Sequence, residues 1–252
     1  METLNEIKPD QKSQQTIAEY VVNDFRNAEI FNKFGLDFCC GGNKTLEKAC
    51  KEKGINVSDV ESAMNEIGKT NSGNELDFNH WELDFLADYI INVHHKYVSE
   101  SIPFLEELSE KVARVHGENH PELVAISQLV FEITAELTSH MHKEEMILFP
   151  VVKKMAIEKR NGEFTVPAGL GSLSGPIRVM EAEHVSAGGN LEKIKKLSKN
   201  FVPPAEACNS YRVFYAKLQE FENDLHKHIH LENNILFPKA LKMESEISNF
   251  SN

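Results

Sequence analysis

One eleven-residue pattern occurs twice in this chain, 88 residues apart. The first copy is His140-Met141-His142-Lys143-Glu144-Glu145-Met146-Ile147-Leu148-Phe149-Pro150. The second is His228-Ile229-His230-Leu231-Glu232-Asn233-Asn234-Ile235-Leu236-Phe237-Pro238. Both read H-x-H-x-E-x-x-I-L-F-P. In a helix, residues i and i+4 share one face, about 6 Å apart along the axis. His140 and Glu144 therefore point one way, as do His228 and Glu232. An imidazole and a carboxylate presented together, twice, beside an apolar run, point to a metal site inside a helical bundle.

The repeat extends further back. His95 lies 45 residues before His140, and His184 lies 44 before His228. That interval holds a helix of about 20 residues up, a short loop and a helix back. Each half then reads as a helical hairpin with a histidine on its first helix and a His/Glu pair on its second. Two such hairpins make an all-α, up-down four-helix bundle with a pseudo-two-fold axis. Glu136 and Asp224 stand four residues before His140 and His228, and Glu183 stands beside His184. Glu136 and Asp224, one turn away, could each accept from a ligand imidazole N–H or line a path to the site, and Glu183 is a further candidate for that outer layer. Spacing alone leaves the choice between His94 and His95 open.

Four histidines and two glutamates exceed what one tetrahedral zinc takes. They suit two ions such as iron or manganese, bridged by the carboxylates, with positions left for water, oxo or a diatomic ligand. For His142, His226 and His230 the expectation is a partly exposed helix histidine, and for Tyr89 and Tyr97 core packing. The net charge of −12 argues against nucleic acid and anionic lipid as partners. No apolar run approaches the ~20 residues that span a bilayer. The N-terminal residues lack a basic segment followed by an apolar one, so the expected location is the cytoplasm.

The patterning predicts a small helical unit over residues 1–67, a polar linker over 68–79 and the bundle over 80–252. In the first unit, a helix over 11–35 ends at Gly35. A second, over 46–53, is capped by Thr45 and closed by Gly54, and a third is capped by Ser58. The bundle helices are expected over 79–114 with a kink at Pro103, 121–159, 174–200 with Ser174 as cap, and 205–243. Between the first two elements lies Cys39-Cys40-Gly41-Gly42. The glycines permit positive φ and expose N–H groups, which with the helix dipole would favour a thiolate. A redox-active or metal-accepting thiol pair and a tightly packed turn are both open readings. Cys50 and Cys208 read as packing residues.

Several stretches resemble the iron–sulfur cluster repair di-iron proteins. They are Asp37-Phe38-Cys39-Cys40-Gly41-Gly42, His94-His95-Lys96-Tyr97, the two eleven-residue copies, Pro176-Ile177-Arg178 through Met180 and Glu181 to Glu183-His184, and Pro203-Pro204 with Glu206-Ala207-Cys208. The resemblance covers nearly the whole chain. It implies a ScdA-type N-terminal domain followed by a hemerythrin-like domain. It also implies a non-haem centre of two irons, carboxylate-bridged and oxo- or hydroxo-bridged when oxidised. The implied ligands are His95, His140, Glu144, His184, His228 and Glu232. His95 is preferred over His94 by its spacing to Pro103.

The implied role is restoring iron–sulfur clusters damaged by nitric oxide or oxidants, by donating iron or removing nitric oxide, with Cys39 and Cys40 serving delivery or redox. Damaged iron–sulfur proteins or a cluster-assembly scaffold are the implied partners, and NO or O2 the small ligands. Two other readings compete. A hemerythrin-like sensor or carrier would bind O2 reversibly without reacting with NO. A di-iron NO reductase would form nitrous oxide over many turnovers.

Overall fold

The structure is a computed structural model that describes residues 15–68, 76–163 and 172–250. Among these residues all regular structure is helical, apart from one bridge between Thr16 and Thr45. The chain divides into two compact units. One is residues 1–81 together with the turn 230–235, and the other is residues 82–229 with 236–252. Among the described residues no helix is long and apolar enough to cross a membrane.

The first unit holds α1 (Ile17–Asn23), α2 (Asn27–Lys33), α3 (Leu46–Lys53) and α4 (Val57–Gly68). Its core comprises Ile17, Val21, Phe31, Phe38, Leu46, Cys50 and Val60, each 5% exposed or less. Thr16 and Glu19 cap α1 reciprocally: Thr16 Oγ1 accepts from the Glu19 amide at 3.2 Å, and Glu19 Oε2 from the Thr16 amide at 2.7 Å. The single helix expected over 11–35 is two helices where it is described, residues 11–14 lying outside. Asp24 adopts extended backbone at the end of α1, and its carboxylate accepts from the Arg26 amide and guanidinium. That local bonding competes with the helical ladder and breaks it. Gly35, at φ 67°, closes α2, with the Leu36 amide returning to the Phe31 carbonyl at 2.8 Å. Thr45 and Gly54 bound α3 as predicted. Ser58 lies inside α4, and Asn56 Oδ1 accepts from its amide at 3.2 Å.

The bundle helices make up the second unit, residues 230–235 of the last of them being counted with the first unit. Helix α5 (83–116) comprises Leu83–Tyr89, Ile90–His95 and Lys96–His116, and α6 (122–160) comprises Glu122–Lys143, Glu144–Leu148 and Phe149–Arg160. Helix α7 is Ser174–Leu197, and α8 (209–250) comprises Asn209–Leu231, Glu232–Leu236 and Phe237–Phe250. The middle segments of α5, α6 and α8 are π-helical turns. Helix α5 packs against α6, and α6 against α7. Leu86, Ile90, Leu123, Ile126, Phe149, Phe214 and Phe237 are fully buried along the core. Pro103 sits within the uninterrupted α-helical stretch Lys96–His116, so the irregularity expected there lies instead in the π turn before it.

Helix α7 ends in an unusual turn. Lys199, Asn200 and Phe201 have φ of 52°, 60° and 59°. Left-handed backbone costs a non-glycine residue about 1–2 kcal/mol. Burial of the Phe201 ring and a 3.0 Å bond from its amide to Ser198 Oγ offset that cost.

Candidate metal centre

The six predicted ligands converge. His95, Glu144, His228 and Glu232 bring one donor atom each within 4.8 Å of one another, and so do His140, Glu144, His184 and Glu232. Glu144 and Glu232 belong to both groups. All six are buried, at 2% exposure or less. The imidazoles pair by Nε2: His95 with His228 at 3.1 Å, and His140 with His184 at 3.0 Å.

Glu144 supplies a test of fit. It is fully buried, and neither carboxylate oxygen receives a hydrogen bond. Its Oε2 faces His140 Nε2 at 3.2 Å and His95 Nε2 at 3.4 Å. His95 Nδ1 pairs with Glu145 at 2.8 Å, and His140 Nδ1 with Glu183 at 2.8 Å. A ring that donates its Nδ1–H to a carboxylate turns an Nε2 lone pair the other way. Lone pair and carboxylate then face each other, an arrangement that a metal ion between them would satisfy. A buried carboxylate without one would be strongly unfavourable. The donor set of imidazole nitrogens and carboxylate oxygens suits iron or another first-row ion.

The π turns lie where the ligands are. His95 ends the first, Glu144 opens the second and Glu232 opens the third. A π turn takes an i→i+5 bond and occurs mainly as a single turn at functional sites. In α6 it lets consecutive residues grip one ring, Glu144 at His95 Nε2 and Glu145 at its Nδ1.

Of the outer carboxylates, Glu136 and Asp224 pair elsewhere than expected. Glu136 is exposed and accepts from Ser186 Oγ at 3.2 Å, so it does not back His140; Glu183, from the neighbouring helix, does. Burial raises the Glu183 carboxyl, but hydrogen bonds from Lys143 and His140 outweigh it and hold the group below its usual range. Asp224 does not serve His228; its Oδ1 meets Nδ1 of the buried His94 at 2.9 Å. The structure thus turns His94 to Asp224 and His95 into the ligand cluster. Tyr89 packs edge-on against His94, and Tyr97 donates to Glu220 at 2.8 Å. Glu145, which no local pattern singles out, is the residue that sequence reasoning missed.

His230 is buried, not partly exposed. It is ringed by Phe25 and Phe38, and burial pushes its pKa down to about 3. His142 is exposed and His226 half-buried.

At the cysteine turn the backbone N–H groups are not free to favour a thiolate, and Asp37, Cys39 and Cys40 bring one donor atom each within 4.8 Å of one another. Asp37 takes the exposed N–H groups: its carboxylate accepts from the amides of Cys39 at 3.1 Å, Cys40 at 2.9 Å and Gly41 at 2.9 Å. Cys39 Sγ lies 3.9 Å from Cys40 Sγ and 3.2 Å from Asp37. The hydrogen bond with Cys40, burial and the Asp37 charge all push the Cys39 thiol well above its ordinary value. Cys40 is half-buried. Neither Gly41 nor Gly42 has positive φ; Gly42 is needed because a Cβ there would lie 2.3 Å from the Phe38 carbonyl. Within the same unit, Asn233 and Asn234 donate to the carbonyls of Cys39 and Phe38 at 3.2 and 3.1 Å. Cys50 is a packing residue, as expected. Cys208 is exposed, with its sulfur 3.1 Å from His116 Nε2.

Two family models match the chain. Residues 13–68 match ScdA_N, a domain of unknown function, and residues 86–240 match the hemerythrin HHE cation binding domain. A probable iron-sulfur cluster repair protein of Haemophilus influenzae is 38% identical over 230 residues, covering 91% of this chain and 97% of the relative. The iron-sulfur cluster repair protein YtfE of Yersinia pestis strain Pestoides F is 39% identical, covering 87% and 93%. That of Yersinia pseudotuberculosis serotype IB is 40% identical, covering 86% and 91%. With a buried cluster of imidazoles and carboxylates inside its cation-binding bundle, this chain belongs to the family of hemerythrin-like iron–sulfur cluster repair proteins.

Proposed function

We propose that the chain repairs iron–sulfur clusters damaged by nitrosative or oxidative stress, in the cytoplasm, through a centre of two irons. The observation that carries this is the sharing of Glu144 and Glu232 between two donor groups. His95 and His228 would serve one ion, His140 and His184 the other, and the two glutamates both. An iron pair with mixed nitrogen and oxygen ligands supplies one-electron redox change and open positions for diatomic ligands. The chain itself fixes the imidazoles through Glu145 and Glu183, and buries the cluster among apolar side chains.

Residues 1–67 form the ScdA-type domain in this reading, 68–79 the linker and 80–252 the bundle. Cys39 and Cys40 take part in iron delivery or redox, and Cys40 is the more accessible thiol. Damaged iron–sulfur proteins or their assembly scaffold are the clients, and NO or O2 the small ligands.

The test has two arms. Protein purified without oxygen should carry two irons per chain by elemental analysis and Mössbauer spectroscopy. It should also restore an enzyme whose cluster has been nitrosylated. A chain with Glu144→Leu and Glu232→Leu should do neither. Restoration by that variant would overturn the reading. Reversible O2 binding without repair would assign the site to a sensor or carrier, and sustained nitrous oxide formation to a reductase.

A further inference from the structure

The two halves of the centre are alike in their ligands but not in what stands behind them. His95 Nδ1 meets Glu145 Oε1 at 2.8 Å, and His140 Nδ1 meets Glu183 Oε2 at 2.8 Å. The other oxygen of Glu183 accepts from the Lys143 ammonium. That cation draws charge away from the imidazole that Glu183 backs. Glu145 has no such cation partner among the described residues, so none competes with His95 for its charge. A carboxylate behind a ligand imidazole fixes the tautomer and raises the basicity of the metal-facing nitrogen. Glu145 also adjoins Glu144, so one π turn sets both nitrogens of His95 at once.

We propose that Glu145 is a positioning residue for metal binding, and that it makes the His95–His228 position the tighter of the two. This rests on the two-metal reading above. It implies that the ion at His140–His184 leaves first when the protein gives up metal.

The experiment is a titration of the metal-free, full-length protein with Co(II), followed by its d–d absorption and by competition with Fe(II) under anaerobic conditions. The wild-type chain should bind in two steps. Glu145→Ala should weaken the tighter step about 10–100-fold, the usual effect of removing such a partner, and leave the weaker step unchanged. Glu145→Gln keeps an acceptor oxygen without the charge, and should fall between the two. Glu183→Ala should weaken the other step. Glu145 is a 40% exposed side chain, and equal far-UV circular dichroism of the metal-free variants checks that the bundle is intact.

Two unchanged steps in Glu145→Ala, or loss confined to the weaker step, would overturn the inference. Failure of the underlying reading looks different. The wild-type chain would then not take up two ions, or Glu144→Leu would bind as wild type does.

Discussion

His140 Nε2 and Glu144 Oε2 face each other at 3.2 Å, one helical turn apart in sequence, with the carboxylate fully buried and given no hydrogen bond. This contact is destabilising until a cation occupies it. Glu144→Leu should therefore raise the stability of the metal-free protein by about 1–3 kcal/mol, as replacement of buried charge by an apolar side chain often does. With Fe(II) bound, the wild-type chain should be the more stable. Urea unfolding with and without a chelator measures both. A metal-free variant less stable than wild type would mean that the carboxylate is satisfied without metal.

The cysteines should react in an order set by their surroundings. At neutral pH iodoacetamide should modify the exposed Cys208 and half-buried Cys40 before the buried Cys39 and Cys50. The Cys39 thiol is pushed up, so it stays protonated to higher pH and its alkylation should rise only under alkaline conditions. Asp37→Asn removes a charge that pushes it up and should advance that rise. Peptide mapping by mass spectrometry across a pH series reads the order. Cys39 reacting first at neutral pH would restore the thiolate reading.

His116 Nε2 lies 3.1 Å from Cys208 Sγ and can take the thiol proton as the sulfur attacks. His116→Phe should slow alkylation of Cys208 several-fold and leave Cys40 unaffected. The same mapping at fixed pH decides it, and an unchanged Cys208 rate would reduce the pair to a packing contact.

Lys199 is exposed and holds φ at 52°. Glycine adopts that backbone without a Cβ penalty, although it frees the unfolded chain. Lys199→Gly should stabilise the protein by about 0.5–1 kcal/mol, measured by urea unfolding at constant metal content. A loss of stability would place the left-handed turn elsewhere.

Much of the centre was legible because His/Glu spacing at i and i+4 survives folding unchanged. His140 with Glu144, and His228 with Glu232, needed only a helix to align them. The choice of His95 over His94 was less legible, since adjacent residues differ by 100° and a π turn intervenes. Glu145 was not legible, because its partner arrives from another helix and nothing local marks it. Glu136 and Asp224 do not accept from His140 and His228 for the same reason: the acceptor for a helix histidine here comes from across the bundle, not from the preceding turn. The cysteine turn did carry a readable signal. An aspartate two and three residues before the amides of Cys39 and Cys40 is an Asx arrangement, and it consumes the N–H groups that would otherwise favour a thiolate. The four bundle helices followed from apolar periodicity, but single-turn widening leaves no compositional trace.

The π turns also limit how portable the duplicated motif is. Each takes one residue more than an α turn, so Phe149 and Phe237, which follow the turns, stand in a phase to the ligands that a uniform α-helix would not give. Pasted into a uniform α-helix, the eleven residues would still align His140 with Glu144, but Phe149 and the residues beyond the turn would stand about 100° from the phase they hold here. The transferable unit is the sequence together with its wide turn. A designer copying this centre must specify the extra residue in the backbone before choosing any side chain.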